Sequence, residues 1–212
     1  MKTDQLIDLL AKGVEPAERP RWRRRLAITM LVGLVVAALL TAIGLGVRPD
    51  IGAARMPVMM KALFAAAAAA VMLPLAVRLM RPGRPLGWRL AAVGVFGLVC
   101  VVTVALALMG APEDRRLEVW MGASGTPWCV VLIPILAAPA AALLLWLMRA
   151  FAPTRLALAG AAIGALSGGL GAMAYAMYCP TDSVAFVVTW YSVGIGFCAA
   201  LGAAIGSRFL RW

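Results

Sequence analysis

Six long apolar runs, separated by short polar connections, follow the first 25 residues of this chain. Each has roughly 20 residues, the length of helix that crosses a bilayer core of about 30 Å at 1.5 Å per residue. Because backbone groups in lipid must satisfy their own hydrogen bonds, such runs form helices. The pattern predicts an all-α integral membrane protein, a six-transmembrane-helix bundle. The expected spans are 26–47, 58–80, 90–110, 129–148, 156–178 and 184–207.

Three segments follow from this division: a cytoplasmic N-terminal tail over 1–25, a transmembrane domain over 26–207 and a short cytoplasmic end over 208–212. The first run follows a basic cluster, but it has full spanning length and lacks the small-residue site at which a signal peptide is cleaved. We therefore expect an uncleaved span.

Composition and charge support the membrane interpretation. The 212 residues are 64% hydrophobic with a mean hydropathy of +0.94, well above a soluble globular domain. The formal charge of +11 does not indicate nucleic-acid binding, because the cations flank the apolar runs. Fifteen of the 20 Lys and Arg residues lie in the tail, after spans two and four, and after span six. This bias predicts that both termini are cytoplasmic.

Ionisable side chains are scarce inside the runs, and small residues are frequent. Lys61 lies about one helical turn from a span end, so we expect it to extend towards the interface. Gly160, Gly164 and Gly168 form a small-residue row in span five, and Gly202 and Gly206 lie in span six. Such rows let helix backbones approach closely in lipid. They indicate either tight packing or a mobile interface that transmits a signal.

The tail has a short amphipathic helix pattern. Thr3 suits an N-cap, three leucines share one face, and Gly13 and two prolines end the pattern before span one. Residues 1–18 carry a net charge of −2, which favours a basic protein surface over anionic lipid. Two interpretations remain: a helix that lies in a partner's groove, or a short leader without a partner. The candidate binding residues are Thr3, Asp4, Leu6, Ile7, Asp8, Leu9 and Leu10.

The four cysteines differ in predicted depth. Cys100 and Cys198 fall inside spans, where we expect small buried hydrophobes. Cys129 and Cys179 fall at the outer ends of spans four and five, which a short connection makes antiparallel neighbours. They indicate a thiol pair that senses soft metals or oxidants, a structural disulfide, or two unrelated thiols. Nearby oxygen ligands for a metal would come from Asp182, Glu113, Asp114 and Glu118.

These features together resemble the membrane-bound anti-sigma factors of the NrsF type, negative regulators of sigma F. The resemblance covers essentially the whole chain. It rests on the opening Thr3-Asp4-x-Leu6-Ile7-Asp8-x-Leu10-Ala11, the six spans, Trp128-Cys129 and Cys179-Pro180.

The resemblance implies a function in transcription regulation and stress response. Such a protein holds an extracytoplasmic-function sigma factor at the bacterial inner membrane, away from RNA polymerase, and touches no nucleic acid itself. The family's sigma-binding segment maps onto Thr3 to Ala11. Its two outer cysteines, which respond to heavy metals or oxidative stress, map onto Cys129 and Cys179 and would bind a metal ion transiently. No cofactor and no enzymatic activity are expected.

Two alternatives belong to other functional classes. A membrane thiol-disulfide oxidoreductase would also use outer cysteines, but it normally needs a CxxC pair and a quinone site, and the chain has no CxxC. A small-solute or metal transporter usually needs ionisable groups inside its spans, which are nearly absent.

Overall fold

The computed structural model describes residues 22–80, 86–122, 127–151 and 153–211. These residues form helices and short connections, and six helices are long and apolar enough to cross a membrane. The six-helix prediction is confirmed. The predicted tail helix, with all its candidate binding residues, lies outside the described residues.

The helices begin and end close to the predicted limits. They are α1 (Trp22–Leu40, continued by a π-helical turn Thr41–Leu45), α2 (Arg55–Leu79), α3 (Trp88–Met109), α4 (Arg116–Met121, after a 3-10 turn Glu113–Arg115), α5 (Cys129–Arg149), α6 (Leu156–Tyr175) and α7 (Val184–Phe209). The short helix α4, in the connection between the third and fourth spans, was not predicted.

Helix α6 lies at the centre of the bundle and packs against α1, α2, α5 and α7. In its most apolar stretch 72% of the residues are buried, against none in the corresponding stretch of α3. Mean hydropathy there is 1.6 for α6 and 2.7 for α3, so the more hydrophobic helix lies at the periphery. In lipid an apolar surface is stable without a protein partner, and small residues select the neighbours.

Glycines set the closest helix contact, between α6 and α7. A Cβ added at Gly160 would overlap the carbonyl oxygen of Gly202, and one added at Gly164 would overlap that of Cys198. A Cβ at Gly206 would lie 2.7 Å from the Cα of Gly160. These contacts confirm that the glycine rows of spans five and six pack tightly together.

The alanine run of α2 meets the opposite face of α6. A Cβ at Gly169 would lie 2.9 Å from the Cβ of Ala69 and 3.1 Å from the carbonyl oxygen of Ala65. Small side chains on both helices therefore let α2 approach α6 closely, which places the first residues of α2 beside the end of α6.

Two glycines of α7 provide a matched test of this packing. We expect Gly202→Ala to lower the free energy of unfolding by about 1–3 kcal/mol, because the new methyl group must force α6 and α7 apart. Gly196→Ala should be close to neutral, since a Cβ there meets no atom within 4 Å. Thermal unfolding of the detergent-solubilised protein measures both. Equal effects of the two substitutions would contradict the packing argument.

Candidate functional site

Cys129 and Cys179 meet at one end of the bundle, which we call the outer end. Cys129 is the first residue of α5, and Cys179 lies in the turn that follows α6. Both belong to one buried cluster, with exposed fractions of 0% and 1%. The predicted placement of both cysteines at the same end is confirmed, and both are free thiols.

Tyrosine rings surround this part of the cluster. The Tyr175 ring centroid lies 5.7 Å from that of Tyr178 and 5.8 Å from that of Tyr191. Tyr191 is fully buried, and its hydroxyl has no hydrogen-bond partner among the residues that the structure describes. The Sγ of Cys179 lies 3.7 Å from the carbonyl oxygen of Thr181, to which it donates. The residues that the structure describes thus shield both thiols from water.

The short helix α4 packs against the N-terminal end of α7 beside this cluster and is hydrogen-bonded to it. The Trp120 and Trp190 rings lie 5.6 Å apart, and Trp190 Nε1 donates to the Trp120 carbonyl oxygen at 2.9 Å. Ser183 Oγ donates to the Val119 carbonyl oxygen at 2.7 Å and also accepts from the backbone N–H of Phe186. Gly122, just after α4, packs against Phe186 and Thr181. Residues 119–122 of the connection between α3 and α5 thus pack against the residues that follow Cys179.

A set of ion pairs between two buried cations and two exposed carboxylates lies beside the same turn. We call it the outer ion cluster; it consists of Arg48, Asp50, Lys61, Asp182 and the carbonyl group of Cys179. Lys61 Nζ donates to the Cys179 carbonyl oxygen at 2.8 Å and to Asp182 Oδ1 at 2.6 Å. Arg48 Nη1 donates to the same carbonyl oxygen at 3.2 Å and to Asp182 Oδ1 at 2.9 Å.

Arg48 holds a second carboxylate within its own loop. Its Nε and Nη2 donate to the two oxygens of Asp50 at 2.7 and 2.8 Å, a bidentate pair. The backbone N–H of Arg48 donates to the Met177 carbonyl oxygen at 3.1 Å. The cluster therefore has two cations and two carboxylates, so its formal charges balance.

Lys61 extends towards the outer end of the bundle, where its Nζ has protein partners instead of open water. Lys61 is 2% exposed and Arg48 8%, and no other charged side chain in the described ranges is buried. The turn after α6 closes over Lys61 and supplies both a carbonyl oxygen and a carboxylate. Two of the three N–H groups of the ammonium thus have acceptors within the protein, which offsets the cost of its burial.

The carboxylates are held in the ionised form. Partial burial raises the pKa of Asp182, but hydrogen bonds and charge from Arg48 and Lys61 outweigh burial, and the pKa falls below its usual value. Hydrogen bonding to Arg48 likewise lowers the pKa of Asp50. A lowered carboxylate pKa stabilises the folded state above the ordinary aspartate pKa, and this contribution is lost as pH falls through the lowered value. The ion pairs are thus intact at neutral pH.

The other predicted oxygen ligands do not converge on the thiols. Glu113, Asp114 and Glu118 are exposed. Two of them pair with neighbouring cations, Glu113 with Arg116 at 3.5 Å and Glu118 with Arg115 at 3.4 Å. Asp182 is engaged in the outer ion cluster. Within the part of the chain that the structure describes, no three His, Cys, Asp or Glu side chains are grouped to hold a metal ion.

The two remaining cysteines have different environments. Cys198 is buried against Gly164 and Gly168, as predicted. Cys100 was also expected to be buried, but it is only half-buried, because α3 lies at the edge of the bundle. Neither belongs to the outer end.

Arg48, Lys61 and Asp182 are not grouped by any pattern in the sequence. Lys61 was expected near the interface and Asp182 among possible metal ligands, and Arg48 was assigned no role. One signal was present, since a lone Lys inside an apolar run usually has a partner within the protein. The partner lies 121 positions along the chain, and no local pattern shows it.

Comparison with known proteins agrees with the resemblance carried by the sequence motifs. Residues 10–212 match the model of the family described as negative regulator of sigma F, NrsF. The chain belongs to the NrsF family. Two full-length relatives are the anti-sigma-F factor NrsF of Caulobacter vibrioides, 37% identical, and the probable anti-sigma-F factor NrsF of Azospira oryzae, 36% identical. Each comparison covers 100% of both chains. No solved structure matches.

Burial of the two outer thiols in this NrsF-family protein gives a direct prediction. In single-cysteine variants, we expect Cys129 and Cys179 to react with a soluble maleimide about tenfold more slowly than the cysteine introduced by Glu113→Cys. A buried group reacts only through local opening. The Glu113 side chain is 87% exposed and lies at the same end of the bundle. Mass spectrometry after timed labelling gives the rates, and labelling in SDS confirms that each thiol is intact. Equal rates would show that the outer end is open.

Proposed function

We propose that this chain is an anti-sigma factor that holds an extracytoplasmic-function sigma factor at the bacterial inner membrane through its N-terminal segment. Release follows when a heavy metal or an oxidant acts at Cys129 and Cys179. The observation that carries this proposal is the match over both full lengths to relatives named as anti-sigma-F factors, at 36–37% identity. Six helices of spanning length support a multi-pass membrane protein.

The binding segment we propose is the tail ahead of α1. Its apolar face would occupy a groove on the sigma factor, and its acidic residues would meet a basic surface there. The proposed contact residues are Thr3, Asp4, Leu6, Ile7, Asp8, Leu9 and Leu10.

The sensing end and the tail lie at opposite ends of α1. Helix α1 starts at Trp22, next to the tail, and its π-helical continuation ends at Leu45, three residues before Arg48 of the outer ion cluster. An even number of spans places both termini on one side of the membrane, and the distribution of Lys and Arg supports the cytoplasm as that side. A signal at the thiols must therefore cross the bilayer.

Burial of the thiols supplies the link between chemistry and conformation. Because Cys129 and Cys179 are 0% and 1% exposed, a metal ion or an oxidant reaches them only when the outer end opens. The signal therefore favours a state in which this end is open, and a ligand shifts an equilibrium only through such differential affinity. A tenfold loss of sigma binding needs a coupling free energy of only about 1.4 kcal/mol.

The tail can be tested by affinity purification from native membranes. We expect the full chain to retain a sigma factor. The double variant Leu6→Ser with Leu10→Ser should retain about tenfold less of it, because polar side chains then replace the apolar face. Lys12→Ser, on the polar side of the same segment, is the matched control. Mass spectrometry identifies and quantifies the retained protein. Undiminished retention by the double leucine variant would refute the binding segment.

The thiols can be tested by release. We expect Cys129→Ser with Cys179→Ser to retain the sigma factor in the presence of cadmium or peroxide at concentrations that release it from the native chain, because serine lacks the soft, oxidisable sulfur. Cys100→Ser with Cys198→Ser is the control and should release normally. Release from both variants alike would mean that the signal acts elsewhere.

A further inference from the structure

The turn that carries Cys179 is held by groups from two other parts of the chain. Its carbonyl oxygen accepts from Lys61 on α2 and from Arg48 after α1. Three residues on, the Asp182 carboxylate accepts from the same two side chains. The position of Cys179 thus depends directly on the first and second membrane helices.

Of the two residues that bind the turn, Arg48 makes the link to α1. Arg48 follows the last helical residue, Leu45, by three positions, and it binds the turn through its side chain and also through its backbone N–H to Met177. Much of α1 faces away from the bundle, since 22% of its most apolar stretch is buried, although Gly33 packs closely against Ala140 of α5. The outer ion cluster therefore anchors a helix whose other end leads into the N-terminal tail.

Burial of Lys61 and Arg48 makes it costly to separate them from the turn. An ammonium that loses its acceptors inside the protein must find water or another carboxylate, so a partly separated arrangement is unfavourable. In the closed state Lys61 and Arg48 share the acceptors of the turn. If the turn moved away, both cations would have to reach water at the outer surface, where Asp50 and Asp182 are already exposed.

We propose that Lys61, Arg48 and Asp182 are positioning residues for Cys179, and that they transmit its displacement to α1. Metal binding or oxidation at Cys179 moves the turn, separates the outer ion cluster and frees the outer end of α1. The transmission step rests on the proposed anti-sigma function, whereas the positioning of Cys179 does not.

The positioning step is tested without any sigma factor. In a chain whose only cysteine is Cys179, we expect Asp182→Asn and Lys61→Met each to speed maleimide labelling by about tenfold, corresponding to a shift of about 1.4 kcal/mol in the opening equilibrium. Asp114→Asn, an exposed carboxylate at the same end, is the matched control and should leave the rate unchanged. If the Asp182→Asn variant does not insert into the membrane, Asp50→Asn tests the same cluster, because Asp50 accepts from Arg48 Nε. Labelling of Cys179 should also be faster in that variant.

A second single-cysteine chain separates local release from general loosening. Cys198 lies deep in α7 against α6, away from the outer ion cluster. Its labelling should not change in the Asp182→Asn and Lys61→Met variants. Unchanged Cys179 rates in all the cluster variants, or a parallel rise at Cys198, would overturn the positioning role.

The transmission step is tested by combining changes. We expect Asp182→Asn to lose the sigma factor without any metal or oxidant, even when Cys129 and Cys179 are both serine, because the cluster acts after the thiols. Retention equal to that of the chain with both serines alone would overturn the transmission step. Absence of a sigma factor from the native chain would instead refute the proposed function, and the labelling rates would still decide whether the cluster positions Cys179.

Discussion

Every polar group inside a bilayer must find its partner within the protein, and this constraint accounts for most of the structure. It makes each apolar run a helix, since only a helix satisfies its own backbone. It also explains why the buried ammonium of Lys61 meets a carbonyl oxygen and a carboxylate at 2.8 and 2.6 Å. The same constraint draws the turn after α6 inward, because that turn carries both acceptors. The carbonyl group of Cys179 is therefore one of the two acceptors that neutralise Lys61.

Helix association follows a second rule of the membrane. Apolar side chains gain little by moving from lipid to a protein neighbour, so close packing and shape decide which helices meet. The glycines of α6 pack against the backbone of α7 on one side and against alanines of α2 on another. Helix α6 is consequently the central helix of the bundle. The turn that carries Cys179 follows its C-terminal end, where α1, α2, α5 and α7 surround it.

A sensor whose thiols are buried has a useful property for regulation. Reagents reach the thiols only when the outer end opens, so chemistry and conformation are linked by necessity. In the proposed mechanism the outer ion cluster sets how often that opening occurs, because both cations hold the turn in its closed position. The strength of the cluster would then tune the threshold of the response, independently of the intrinsic reactivity of the sulfur atoms.

The sequence by itself determined the membrane class, the number of spans and the placement of Cys129 and Cys179 at one end, because hydrophobic length and residue order carry this information locally. The family motif was also readable, since Trp128-Cys129 and Cys179-Pro180 are contiguous pairs. Only the tertiary structure decided that α6 is central, that Cys100 is half-buried and that Lys61 is paired inside the protein. These features depend on contacts between residues far apart in the chain, and hydropathy does not record which face of a helix meets a neighbour.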